Sequence, residues 1–311
     1  MADWSIEVVS DREQLVEVAA LATALGPERP YTADELEHGE RVYPGAVRLL
    51  ARAGGRAIGF GTVGRIYVFS PDFDGAWAEI GVVDDRRQQG IGSELYRQLS
   101  GHAAAIGKTA LHVPASEARP DAIAWLERRS FSEYERSRAV ALDVPSAALQ
   151  PVDPPPGVEI TTLAERPNLL RALHAVADAT AHDIPGQDEP HTAGTFEEFV
   201  AYDVDGPQSR REAIFIALAG DEVAGYASLG FPGAYPTVAW HDMTGVMPAF
   251  RGRGIAGALK RAQVAWAAAN GIVTLETENN VENAPMRAVN LALGYQPQPD
   301  QVIMRGPLSS Q

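Results

Sequence analysis

Hydrophobic and polar positions along this chain change period in a regular order. Residues 6–9 alternate as a short strand, and residues 12–25 place apolar side chains at helical spacing. Thr32 caps a second helix that carries Leu36. Two alternating runs, 47–52 and 57–68, flank Gly54-Gly55 and predict a hairpin. A fourth strand at 77–83, a helix at 90–105, a strand at 109–113, a helix at 121–128 and a strand at 138–144 complete the series. Residues 144–157 then hold five prolines, a density that ends regular structure and reads as a semi-rigid linker.

Beyond the linker the order repeats. A strand at 158–163 precedes a helix at 168–179. A helix at 195–202 opens on Thr195 with Glu198 three residues on, which is a capping box. Strands at 213–219 and 223–229 flank Gly220-Asp221-Glu222 as a hairpin, and residues 238–246 form the fourth strand. A helix at 254–270, a strand at 272–276, a helix at 284–293 and a strand at 301–305 follow. Gly59-Phe60 returns as Gly225-Tyr226, 166 residues on, and Gly90-Ile91-Gly92 returns as Gly254-Ile255-Ala256, 164 residues on. The chain is thus a tandem duplication of one α/β unit, with antiparallel strands early and a strand–helix–strand crossover late. The expected division is a domain at 1–144, a linker at 145–157 and a domain at 158–311.

Composition narrows the chemistry. The 311 residues carry 41 acids against 26 bases, a net charge of −15, and acids exceed bases in both halves. No basic face is available for a phosphate backbone, so nucleic acid is not an expected partner. There is no cysteine, which excludes disulfides, thiolate nucleophiles and Cys-ligated metals. No apolar run approaches membrane-spanning length and the N-terminus carries no signal pattern, so a cytoplasmic protein without a membrane partner is expected.

The glycine turns carry the most information. Val82, Arg87, Gln88, Gln89, Gly90, Ile91 and Gly92 in the first copy correspond to Val246, Arg251, Gly252, Arg253, Gly254, Ile255 and Ala256 in the second. Each turn leaves a strand and opens a helix, where unpaired backbone N–H groups meet the positive end of the helix dipole. The product is a cradle for a phosphate or pyrophosphate. Gly252, Gly254 and Gly257 also satisfy a dinucleotide-binding spacing, with Glu276 downstream. That reading fails because the preceding strand follows a hairpin and the first copy lacks the outer glycines.

At these residues the chain resembles the GNAT superfamily of acyl-CoA-dependent N-acyltransferases, present twice. The family's (Gln/Arg)-x-x-Gly-x-(Gly/Ala) loop matches Arg87–Gly92 and Arg251–Ala256, and Val246-Met247-Pro248 extends the second match. Asn279–Met286 leading into Leu293-Gly294-Tyr295 is similar to the family's closing segment. The resemblance implies two α/β domains, each a mixed, largely antiparallel sheet flanked by helices. It further implies acetyl-CoA or another acyl-CoA as cofactor. The loop amides would hold pyrophosphate, Val246 and its neighbours the pantetheine arm, and Asn283 and Asn290 the flank of the closing helix. Many members carry an acidic tyrosine five residues before the closing aromatic; here those positions are Leu126 and Asn290. Ser130 and Arg119 also depart from the pattern, so the first copy reads as degenerate and the second as catalytic.

The general base should project from the fourth strand of the second copy. Asp242 is the first candidate, on the same face as Val246 by period two, and His241 the second, facing the other way unless a bulge intervenes. Glu79 is the out-of-phase counterpart in the first copy. Residues 181–195, with His182, Asp183, Asp188, Glu189 and His191, lie where the family shapes its acceptor pocket. They lack ligand spacing for a metal, and their carboxylates suit a cationic acceptor. The five tryptophans sit inside periodic elements as core. The expected function is acetyl-CoA-dependent N-acetylation of a small-molecule primary amine by direct transfer, in a monomer with internal pseudo-symmetry or a homodimer. Mycothiol-synthase-like chemistry, protein-lysine acetylation and a non-catalytic acyl-CoA sensor are the alternatives.

Overall fold

Gly54 and Gly55, at φ 55° and 83°, turn the chain between β2 (Val47–Ala53) and β3 (Arg56–Arg65) where a side chain would strain the backbone. In the computed structural model, which describes residues 3–185 and 191–309, this hairpin belongs to the first of two compact units. Unit 1 comprises Met1–Arg136 and Asp300–Gln311, and unit 2 comprises Ser137–Pro299.

Unit 1 begins with β1 (Trp4–Val8), α1 (Arg12–Leu25) and α2 (Ala33–Val42). Thr32 caps α2 through the Glu35 N–H, and the Glu35 side chain returns the bond to the Thr32 N–H. After the hairpin come β4 (Gly75–Val82), α3 (Ile91–Ala105), β5 (Ala110–Ser116) and α4 (Pro120–Glu127). The strand β6 (Ser132–Asp143) starts in unit 1 and runs on into unit 2. Residues Ile91, Leu95, Leu99 and Ala103 recur at helical spacing and are buried against the sheet. Each buried leucine stabilises by roughly 2 kcal/mol.

Unit 2 repeats the plan with β7 (Val158–Thr162), α5 (Leu170–Ala181), α6 (Phe196–Phe199), β8 (Ile214–Ala219), β9 (Glu222–Gly230) and β10 (Val238–Val246). It continues with α7 (Ile255–Ala269), β11 (Thr274–Asn280), α8 (Ala284–Ala292) and a two-residue strand β12 (Gln296–Pro297). The last strand, β13 (Gln301–Pro307), lies in unit 1. The helix expected over 195–202 is α-helical only to Phe199; Val200–Val204 forms a π-turn.

Closing strands are exchanged between the repeats. In unit 1 the sheet runs β1-β2-β3-β4-β5-β13, with β13 antiparallel to β5 from Gln301–Ser116 to Pro307–Ala110. In unit 2 it runs β7-β8-β9-β10-β11-β6, with Ser137 to Asp143 antiparallel to β11. Val302 and Met304 are buried in the unit 1 core, and Leu142 in the unit 2 core. Gly306 permits this: a Cβ there would overlap the Phe131 ring.

Candidate functional site

Among the described residues each unit shows a parallel strand pair that parts after three residues. β4 and β5 pair over Gly75–Trp77 and Ala110–His112. β10 and β11 pair over Val238–Trp240 and Thr274–Glu276. Further on, β10 follows β9 and β11 follows β6, so the facing edges of β10 and β11 have no ladder partner in each other. Such an edge can receive an extended ligand by main-chain hydrogen bonds.

At the mouth of each opening stands a glycine turn of one shape. Gln88 and Gly90 have φ 61° and 86°, and the equivalent Gly252 and Gly254 have 73° and 84°. The arginine at the head of each motif braces its own turn: Arg87 Nε donates to the Val82 carbonyl at 3.1 Å, and Arg251 Nε to the Val246 carbonyl at 2.9 Å. Arg251 also pairs with Asp183, and Arg253 donates to the Ala249 carbonyl at 3.1 Å. Ile91 and Ile255 are buried, so only their main-chain N–H groups can serve a ligand. Neither α3 nor α7 has a side-chain cap, and a Cβ added at Gly252 or Gly254 would meet nothing within 4 Å. An open surface of uncapped N–H groups at a 15-residue helix fits a pyrophosphate.

The two openings differ in what crosses them. In unit 1, Arg87 forms an ion pair of 2.7 Å with Asp121 on α4, and Arg129 donates to Ser93 Oγ on α3 at 2.8 Å. Trp125 packs beside Gly92, with Arg129 over its ring. In unit 2, among the described residues, no hydrogen bond or ion pair joins α7 to α8. Asn283 accepts from the Met286 N–H and caps α8. Asn290 Nδ2 donates to Asn279 Oδ1 at 2.7 Å, while its buried Oδ1 has no partner.

The fourth strands differ as well. β4 pairs with β3 in unbroken register, whereas β10 is bulged between His241 and Met243, leaving Asp242 as the extra residue. The bulge corrects the expected facing of Asp242. One inserted residue shifts the strand's alternation. Val246 therefore packs with the α7 face, while Asp242 turns to the opposite face with Phe199 and Leu173. His241 stays on the α7 side, hydrogen-bonded to Gln263 at 2.8 Å and to the Tyr295 hydroxyl. Burial and the nearby Lys260 hold its imidazole well below the ordinary pKa.

Asp242 lines a small, solvent-open pocket with Asp203, Tyr226 and Ser228. Asp242 is exposed at the edge of this pocket, and partial desolvation by the protein around it raises its pKa. Desolvation, reinforced by the Asp242 charge, lifts Asp203 to about 8. In unit 1, Glu79 instead accepts from Trp77 Nε1 and the Tyr31 hydroxyl, each at 3.0 Å.

Asp203, Tyr226 and Ser228 were not singled out from sequence. Asp203 reaches the cavity from the π-turn, and such turns are frequent at functional sites. Tyr226 had a visible signal, since it places a hydroxyl where the first copy has Phe60. Of the acidic loop, Asp188 and Glu189 lie outside the described residues. Asp183 is paired to Arg251, and His182 Nδ1 lies 2.8 Å from the Asp178 carbonyl oxygen. Among the described residues no group of three His, Cys, Asp or Glu side chains is placed to hold a metal, and no helix is long and apolar enough to cross a membrane.

A model of the Acetyltransferase (GNAT) family matches residues 15–131 and 175–295, one match in each repeat. No curated protein matches the sequence. Among solved structures, a tandem GNAT protein from the clavulanic acid biosynthesis pathway superposes with a TM-score of 0.77 at 19% identity, covering 99% of this chain and 100% of that one. A GCN5-related N-acetyltransferase from Sphaerobacter thermophilus gives 0.70 at 17% identity, covering 99% and 96%. A GNAT-family acetyltransferase from Colwellia psychrerythraea gives 0.62 at 16% identity, covering 98% and 100%. At these identities the structures speak for the fold. The family match spans most of the chain, and the split parallel strands and uncapped glycine turns occur twice in it: the protein belongs to the GNAT acetyltransferase family, with two GNAT domains in tandem.

Proposed function

We propose that the chain is an acetyl-CoA-dependent N-acetyltransferase of small primary amines, with unit 2 as the catalytic domain and unit 1 as a degenerate scaffold. The observation that carries this is Asp242, bulged out of β10 beside the parted strands, with its carboxylate free toward a cavity. β4 has no bulge, and Glu79 is held by two donors. Acetyl-CoA supplies the acyl thioester.

The N–H groups of residues 252–256 receive the pyrophosphate, with Arg251 keeping their turn in shape. The unpaired edge of β10 near Val246 aligns the acyl arm. Asp242 accepts a proton from the acceptor ammonium, which frees the nitrogen lone pair. The new N–C bond forms as the thioester C–S bond breaks, the amide nitrogen gives up its second proton, and the departing thiolate takes one up. With no cysteine in the chain, transfer is direct.

A non-catalytic acyl-CoA sensor is the second reading, favoured by Asn290 standing where many relatives place a tyrosine acid. Calorimetry with acetyl-CoA on wild type, Gly90→Glu and Gly254→Glu tests the assignment, with circular dichroism confirming that each variant folds. Loss of binding in Gly254→Glu alone is expected. Loss in Gly90→Glu alone would move the cofactor to unit 1, and no binding to wild type would refute the acyltransferase reading. Bound acetyl-CoA with no turnover across an amine panel would favour the sensor.

A further inference from the structure

Four polar side chains converge on the unit 2 cavity without a protein partner. Among the described residues, the carboxylates of Asp203 and Asp242 and the hydroxyls of Tyr226 and Ser228 make no hydrogen bond to protein. The Tyr226 and Ser228 side chains are largely buried, 5% and 7% exposed, and both line the opening. The Tyr226 hydroxyl lies within electrostatic reach of both carboxylates. Asp242 is exposed and Asp203 half-buried, so these groups stand open to an incoming ligand.

The rest of the lining selects that ligand. Leu173, Phe199, Ile214 and Met243 are apolar, and among the described residues no Lys, Arg or His lines the cavity. We propose that this cavity takes a primary alkylammonium group with no carboxylate beside it, the ammonium held between Asp203 and Asp242 and the alkyl stem against the apolar wall. Three ammonium N–H donors can meet the two carboxylates and one of the two hydroxyls. A zwitterionic α-amino acid would bring its own carboxylate against the pair, with no cation to receive it.

This inference rests on the acyl-transfer reading for its placement, with Asp242 at the bulge as the proton acceptor and Asp203 as the second anchor. Desolvation, reinforced by repulsion from the Asp242 carboxylate, lets Asp203 hold a proton near neutrality. An arriving cation relieves that repulsion, and binding releases a proton.

The probes are n-pentylamine and norleucine, which differ by one carboxylate, and the test uses the full chain. Turnover is read as thiol released from acetyl-CoA, against no thiol background from a protein without cysteine. Binding is read by calorimetry at pH 7 in two buffers of different ionisation enthalpy, which counts the protons released. The expected result is a kcat/KM for pentylamine at least about tenfold above norleucine. Asp203→Asn should raise the pentylamine KM by about tenfold or more, the worth of one hydrogen bond to a charged group, and reduce the proton release. Asp242→Asn should lower kcat.

Equal use of norleucine, an unchanged KM in Asp203→Asn, or pentylamine binding without proton release would each overturn the inference. If acetyl-CoA binds but pentylamine neither binds nor reacts, the inference fails and the acyltransferase reading stands. If acetyl-CoA does not bind, that reading fails, and pentylamine calorimetry on wild type and Asp203→Asn still decides the subsite.

Discussion

Met304→Ala, in the last strand of the chain, should loosen the unit that contains the first strand. Met304 is 2% exposed in the unit 1 core and lies opposite Val113 on β5. Truncating a buried methionine to alanine costs about 2–5 kcal/mol through lost transfer energy and the cavity left behind. Taking about 3 kcal/mol, amides that exchange through opening of unit 1 should exchange about a hundredfold faster. Peptide-resolved hydrogen exchange reads this directly. Residues 56–65 and 110–116 should lose protection, while residues 214–219 and 222–230 keep theirs. The mirror variant, Leu142→Ala on β6, should loosen residues 274–280, because Leu142 lies opposite Leu275 in unit 2. Faster exchange across unit 2 with residues 110–116 unchanged in Met304→Ala would refute the exchange of strands.

The two turns offer a reciprocal test. Gln88 bears the left-handed conformation that Gly252 adopts freely, so Gln88→Gly should raise the urea midpoint of unit 1 by an amount worth about 1 kcal/mol and Gly252→Gln should lower that of unit 2 by a similar amount. A lowered midpoint in Gln88→Gly would contradict it. Stability should also depend on pH through Asp203. Its folded pKa of about 8 stands above the ordinary aspartate value of 3.8, so the folded state binds the extra proton and wild type loses stability as pH rises from about 4 to 8. Asp203→Asn should therefore gain on wild type by up to about 1.4 kcal/mol per pH unit through that window and level off above it. Urea melts at pH 5, 7 and 9 check this, and a difference that stays flat with pH would count against it.

Much of the element order was legible because each helix and strand buries one face, and that face writes its period into the sequence. The capping boxes at Thr32 and Thr195 and the turn at Gly54-Gly55 are local chemistry, readable residue by residue. The paired glycine turns were legible for a further reason: two copies of one loop in one chain act as their own alignment. Asp242 was found as a residue but placed on the wrong face, because the bulge that turns it depends on how β10 pairs with β9.

Sequence alone therefore determined the duplication, the sites of the glycine turns, the absence of thiol chemistry and the acid-rich character of the chain. These rest on residue identity and on periods of a few residues. Tertiary structure decided which closing strand completes which sheet, since β6 and β13 carry similar alternation and either would satisfy a free edge by pattern. It also decided that Arg87 bridges to α4 while Arg251 reaches Asp183. The meeting of Asp203, Tyr226, Ser228 and Asp242 is of the same kind. Residues up to 39 positions apart come together there through a π-turn, a strand pairing and a bulge, and those are properties of the packed chain.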